Sequence, residues 1–367
     1  MTAALLRSFA PGRLALFGHG HEPLRLATLS AAIERGVTVE FTPRAEGGLA
    51  LGSGAPEAAP RLLAALPAIL APLDLAAALA ALHGALRIDD ALPETWEAGA
   101  TAALAVALLD VVLAALRSDP ELAATAARWR EPRRLGELAG ALLAASGEPA
   151  ATEAALASAL HGTHHFQPGA TPFVQPLPTP SGTLLVIEPP DAAARLAIVR
   201  SQRERVARDG EQLRAAVPDL ELAPLAFDAA WNLLLDHPEP ATAGAAALPA
   251  ATVGTATRDE RLLAALQQRD LLLAAGRVLA SAPFDAAHFG ELLERDAAAQ
   301  REATRLTGPP AALRAALERA GALGIGEHGG AWLAYGRSDD AARLVEAARA
   351  VGGAATAVTL SASPRRG

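Results

Sequence analysis

The sequence predicts an α+β fold, and three observations carry that prediction. Short runs such as VTVEF (37–41) and SGTLLVIE (181–188) are apolar or alternate with β-branched residues, the signature of strands. Long alanine- and leucine-rich stretches at 60–82, 98–117 and 259–280 carry a helical period instead. The two kinds of segment mix without strict βαβ alternation, which points away from a doubly wound parallel sheet. At 367 residues the chain accommodates two ordinary domains or one large two-lobed unit.

Taken in order, LALFGHG (14–20) follows a Pro-Gly pair and reads as a buried strand. The strand at 37–41 comes next, with 49–51 as a continuation across a turn, and 45–60 is loop or hairpin. Helices are expected at 60–82, at 98–117 and at 136–160, the last interrupted at 146–149. The strand at 181–188 is stopped by Pro189 and Pro190. Helices follow at 191–215, 259–280, 285–304 and 309–320. The Pro-, Ala- and Gly-rich segment 237–256 reads as a loop. A strand at 329–336, a helix at 338–351 and a strand at 357–363 close the chain.

Composition excludes several classes of chemistry. Half the residues are hydrophobic and 20% are charged, a globular balance. No cysteine occurs, so disulfides, thiolate catalysis and thiol metal sites are out of reach. A formal charge of −8, with arginine supplying every basic side chain, gives no reason to expect nucleic acid or an anionic membrane as partner. The apolar runs at 62–82 and 101–116 are broken by Pro67, Pro72 and Asp110, and MTAALLRSFAPGR lacks a signal-peptide pattern. A cytoplasmic protein is expected.

A collinear series of motifs adds a resemblance. PGRLALFGHGHEP (11–23) resembles the galactokinase signature PGRVNLIGEHTDY, and LSAAIERGVTVEFTPR (29–44) resembles the stretch that follows it. PETWEAGATAALAVA (93–107) is similar to the phosphate loop PLGAGLSSSAALEVA, ATEAALASALHG (151–162) to GIMDQFASALG, and GIGEHGGAW (324–332) to the third motif GAGFGGC. The segments 177–191 and 284–324 sit where the family has its central strand and the run into that third motif. The order resembles the GHMP kinases, and galactokinase above its sister families, over nearly the whole chain. The resemblance implies a two-lobed fold with a ribosomal-protein-like N-terminal lobe (1–175) and a ferredoxin-like C-terminal lobe (176–367). It also implies Mg-ATP and a sugar in the cleft between the lobes, with the γ-phosphate passing to the anomeric hydroxyl.

The chemical positions depart from that pattern. Arg13 keeps the place of the arginine that faces the reacting atoms, although it can equally follow a Pro-Gly turn and pair with a carboxylate. The substrate-binding run becomes Gly18, His19, Gly20, His21 and Glu22, in which Glu22 alone keeps an acid. The family's catalytic Asp falls on Ala154, and a methyl group cannot accept a proton. Glu153 stands next door, about 100° away around a helix, and serves only if the register shifts by one; otherwise it is an exposed acid. In the nucleotide loop Trp96 and Glu97 replace small residues, and an anion there opposes a triphosphate. Gly99 and a hydroxyl at Thr101 remain, and Trp96 is expected to fill the volume of the nucleotide phosphates or base. The third motif retains Gly324, Gly326, Gly329 and Gly330, with Glu327 and His328 inserted at its tip. The family's sugar-contacting Tyr aligns near Ala197, and Arg200 reads as a surface charge.

Three functions follow from these residues. The first is a galactokinase-like pseudokinase that binds a small metabolite or a protein partner. The second is an active sugar kinase, a transferase built on Arg13, Glu22, Glu153 and Thr101 with Mg-ATP. The third is a metal site drawn from His19/His21, His161/His164/His165 and His328 beside Glu327, set against polar loop histidines that bind no metal.

Overall fold

The computed structural model describes residues 5–18, 24–97, 99–148, 152–169, 171–217, 220–236 and 256–360. Strands β1 (Leu6–Phe17), β2 (Thr28–Pro43), β3 (Leu49–Leu51), β4 (Gly84–Asp90), β5 (Thr163–Gln167) and β6 (Phe173–Leu177) form the first sheet. Its order is β3-β4-β2-β5-β6, with β1 antiparallel to β2. The second sheet runs β10-β7-β9-β8, from β7 (Thr183–Glu188), β8 (Ala322–His328), β9 (Ala331–Gly336) and β10 (Ala354–Val358). The mixed α+β class is therefore observed.

The first sheet is larger than the sequence suggested. The strand expected at 14–20 is the end of the longer β1, and Pro11 and Gly12 lie inside it rather than in a turn. Pro11 cannot donate to the ladder, and the register shifts between Pro11 and Arg13, as a bulge requires. Opposite it, a Cβ on Gly36 would sit 2.1 Å from the Ala10 carbonyl oxygen, so only glycine lets the two strands close. The expected strand at 37–41 is the second half of the sixteen-residue β2, whose first half pairs with β5.

Helices α1 (Ala58–Leu70) and α2 (Ala76–Ala80) divide the expected helix 60–82 at a short 3-10 turn containing Pro72. The central helix α3 (Ala100–Leu116) buries 13 of its 17 residues, and its one charged side chain, Asp110, is paired with Arg130. It packs on β1 and β2 and is flanked by α4 (Ala123–Trp129), α5 (Pro132–Ala145) and α6 (Thr152–Leu160). The remaining helices are α7 (Ala192–Ala216), α8 (Phe227–Asp236), α9 (Arg258–Ala280), α10 (Ala286–Thr304), α11 (Ala311–Arg319) and α12 (Ala341–Ala350). Helix α9 starts on a capping box in which Thr257 and Glu260 satisfy each other's backbone N–H.

A strand stands where the third glycine motif begins. In β8 a Cβ on Gly324 would meet the Gly290 carbonyl oxygen at 2.0 Å, so this glycine lets α10 lie directly on the strand. One core joins the sheets, since Leu184, Val186, Leu333 and Tyr335 of the second sheet cluster with Leu14, Phe41 and the α3 side chains. No helix among the described residues is long and apolar enough to cross a membrane. The loop expected at 237–256 lies outside the described residues except for Ala256, as do residues 361–363 of the last expected strand.

Candidate functional site

The segment before α3 is closed down by contacts from four elements. After Pro93 the chain makes a 3-10 turn, Glu94–Trp96, then passes through left-handed conformations at Glu97 (φ 50°) and Gly99 (φ 72°) into the helix. Trp96 is 1% exposed, and the Arg35 guanidinium stands 5.2 Å from its ring centroid, a cation–π distance. The Thr95 hydroxyl donates to the Glu188 carboxylate at the end of β7. The Thr95 carbonyl accepts the Gly330 N–H at 3.0 Å. Gly329 is left-handed, and a Cβ on it would lie 3.0 Å from both the Thr95 oxygen and the Glu97 Cβ. The β8–β9 turn therefore rests on this segment with no side chain between them.

Glu97 is gripped from α7. Arg203 donates to its two carboxylate oxygens at 2.7 and 2.6 Å, a bidentate fork, and the Arg200 Nε lies 3.4 Å from the same group. Arg200 also reaches Glu94 at 3.2 Å. It is half exposed, as a surface charge would be, yet it joins this cluster.

Beside the start of α3 lies a second group. Arg13 is buried, with Nη1 3.7 Å from Glu153 Oε1, and the Ser30 hydroxyl donates to that oxygen at 2.6 Å. Glu153 is thus not the exposed acid of one expectation: its side chain is 12% exposed. Ala154 is 5% exposed, and a Cβ on Gly99 would touch its methyl at 3.8 Å and Arg13 Cγ at 3.3 Å. The packing of α6 on β1, fixed by the Ser158 hydroxyl donating to the Pro11 carbonyl at 2.6 Å, sets this arrangement.

Arg13, Glu153, Ala154 and Gly99 therefore converge, and so do Trp96, Glu97, Gly329 and Gly330. Gly326 does not: it sits within β8 with Leu293 and Leu333 as its nearest neighbours, a packing position. Thr101 lies half-buried in the first turn of α3. His19, His21 and Glu22 lie outside the described residues. Ser30, Arg35 and Arg203 had no sequence signal. Each is an ordinary residue whose partner is distant in sequence.

Glu327 and His328 are not at the motif's tip, which Gly329 and Gly330 form. They end β8 and are buried. Burial pushes the Glu327 carboxyl up, opposed by Arg301 at 3.0 Å and Arg195 at 3.5 Å. Behind them, burial pushes Asp296 up to about 8, with a hydrogen bond from Gln268 opposing and the Glu327 charge adding. A carboxyl raised in the folded state stabilises fully below its unfolded pKa of 3.8 and loses that contribution as pH rises through about 8. Asp296→Asn should therefore gain stability on the wild type across that window, at up to about 1.4 kcal/mol per pH unit. Urea titrations of both proteins at pH 5, 6, 7 and 8 check this; a difference independent of pH refutes it.

Both histidines of β5 are depressed, His164 buried and His165 half-buried. His164 falls to about 4 through burial and the nearby His161, while burial alone lowers His161 and His165. Neutral rings suit a metal, but among the described residues no three His, Cys, Asp or Glu side chains converge to hold one.

No protein-family model and no curated protein sequence matches the chain. Solved structures do. Lactococcus lactis galactokinase in complex with galactose is 17% identical at a TM-score of 0.69, over 99% of this chain and 94% of that one. Streptococcus pneumoniae phosphomevalonate kinase gives 10% and 0.63, over 98% and 100%. A homoserine kinase from Cytophaga hutchinsonii gives 14% and 0.54, over 99% and 97%. The chain thus has the two-lobed α+β architecture of these small-molecule kinases. That architecture is the GHMP-kinase fold, and at these identities the likeness is one of fold.

Proposed function

We propose that this chain is a galactokinase-like protein of GHMP-kinase fold that has lost sugar phosphorylation and acts by binding a small metabolite or a protein partner in the cytoplasm. The observation that carries this reading is the closed segment at 94–97. A phosphate cradle needs open backbone N–H groups and small side chains at a positive helix end. Here Trp96 fills the core, Glu97 brings a carboxylate, and the turn at Gly329 and Gly330 lies against the Thr95 carbonyl. Mg-ATP, the cofactor that the fold implies, does not fit these residues. A triphosphate entering there meets the charge of Glu97 and has no space beside Gly329. Ala154, at the position of the family's proton acceptor, offers a methyl group. The net charge of −8 favours a small ligand over nucleic acid.

One observation favours a second reading, an active sugar kinase with a rearranged site. Glu153 reaches Arg13 although it is one residue away from the expected position, and Ser30 holds it in place. A buried carboxylate beside a buried guanidinium could orient an acceptor hydroxyl. Consumption of Mg-ATP against a panel of hexoses including galactose separates the two. The expected rate equals the no-sugar control, and thermal shift shows no micromolar nucleotide binding. Turnover that Glu153→Gln abolishes would establish the second reading instead.

A further inference from the structure

We propose that Arg200 and Arg203 of α7 form a binding site for a phosphate-bearing small molecule, which the chain's own Glu97 occupies as an internal latch. The two arginines stand three residues apart, on one face of the helix, and both address the Glu97 carboxylate. The bidentate fork on Glu97 is the geometry with which a guanidinium takes a carboxylate or a phosphate. Four further observations mark it as a ligand site rather than a structural ion pair.

The pair is open to exchange. Arg200 is 48% exposed and Arg203 24%, so solvent reaches both cations and the attraction is screened. A cavity of about 370 Å³ adjoins Arg200, with Leu196 and Ala197 as an apolar wall, Thr95, Arg200 and Ser201 as polar groups, and the Glu94 and Glu204 carboxylates also in its lining. That is the size of a small-ligand pocket. The donors are not all used, since Arg203 Nε is buried and has no hydrogen-bond partner. Finally, the latch is under backbone strain. Glu97 is left-handed at φ 50°, a conformation costly for any residue with a Cβ other than Asn or Asp.

A phosphate ester carries more charge than a single carboxylate and three acceptor oxygens, so it can use the spare donor and both guanidinium groups. Glu97 wins in the free protein because it is tethered at high effective concentration. Displacing it frees the 94–97 segment, on which the β8–β9 turn rests through the hydrogen bond from Gly330 to Thr95. The two cations lie on α7 and face the segment that leads into α3, and the proposal does not depend on whether the protein phosphorylates sugars.

The test uses the full chain and inorganic pyrophosphate without metal, titrated by calorimetry. Glu97→Gln removes the competing charge and keeps the shape, and should bind pyrophosphate about tenfold more tightly than the wild type. Adding Arg203→Gln to that variant should abolish the gain. Glu97→Ala serves as a second release of the latch, expected to give the same gain, and retained thermal midpoints show that each variant is folded. An affinity unchanged in both Glu97 variants overturns the proposal, as does a gain that survives Arg203→Gln. Citrate binding as tightly as pyrophosphate overturns the assignment to phosphate. Sugar-dependent ATP turnover by the wild type would sink the loss of catalysis proposed above and leave this site standing. A missing gain in the Glu97 variants does the reverse.

Discussion

Truncating Trp96 to alanine is expected to lower the unfolding free energy by about 3–5 kcal/mol, the range for deleting a buried aromatic ring. The ring is 1% exposed and belongs to the main hydrophobic core, so its removal leaves a void that the short, tightly tied segment around it cannot fill. The segment is pinned on both sides of the ring, by Thr95 to Gly330 and by Glu97 to Arg203, which limits collapse. Trp96→Phe should cost much less, about 1–2 kcal/mol. The indole Nε1 has no hydrogen-bond partner to lose, and a phenyl ring keeps part of the cation–π contact with Arg35. Urea denaturation of the three proteins measures both differences. A Trp96→Ala cost below about 1 kcal/mol would show that the ring is not a core anchor and does not hold the 94–97 segment closed. Neither variant should create turnover, because in the proposed reading Ala154 takes the proton acceptor's place.

Elements whose own residues carry the packing were legible in the sequence. Helix α3 is apolar but for Thr101 and Asp110, and β7 and β9 are nearly continuous apolar runs, so each announces itself. The strands that escaped reading are those whose side chains face two ways or face charge. Strand β4 (GALRIDD) ends in Asp89 and Asp90 because its far end is exposed, and this hides its alternation. Strand β5 (THHFQ) buries His164, which a pattern of hydrophobicity scores as polar. Strand β8 was masked by glycines whose role is to admit α10, visible only once Gly290 and Gly324 are seen in contact. The site shows the same division. Residue type alone set Trp96 and Glu97 apart from the small residues of the phosphate loop that this segment resembles. That Arg203 would hold Glu97, 106 positions earlier in the chain, has no local signature, because a charged residue on a helix reads as a solvated face. Glu153 shows the limit of reasoning by helical angle. A long side chain one position off can still reach Arg13, and here Ser30 directs it there.

Replacing Asp209 by alanine should be as damaging as losing Trp96, for an electrostatic reason. Asp209 of α7 and Arg261 of α9 form a bidentate pair at 2.7 and 3.0 Å, with side chains 9% and 8% exposed. Arg261 also donates to the Ala256 carbonyl ahead of α9. Burying two charges is costly, and their attraction offsets that cost only while both are present. Asp209→Ala strands a guanidinium that cannot shed its proton, and an unpaired buried charge of this kind costs about 3–5 kcal/mol. If that asymmetry is the cause, the double variant Asp209→Leu, Arg261→Met should recover most of the loss, because it removes the need for desolvation along with the attraction. A double-mutant cycle by urea denaturation reads the coupling directly. A double variant no more stable than Asp209→Ala would mean that the pair is worth more than the apolar packing that replaces it. The pair also fixes α7, the helix that carries Arg195 to Glu327 and Arg203 to Glu97. Asp209→Ala should therefore weaken the grip on the 94–97 segment as well, seen as faster amide exchange at Gly330, whose N–H is held by Thr95. The double variant restores the packing of α7 on α9 and should return that exchange rate toward the wild-type value. Such a return would separate loss of helix position from loss of charge.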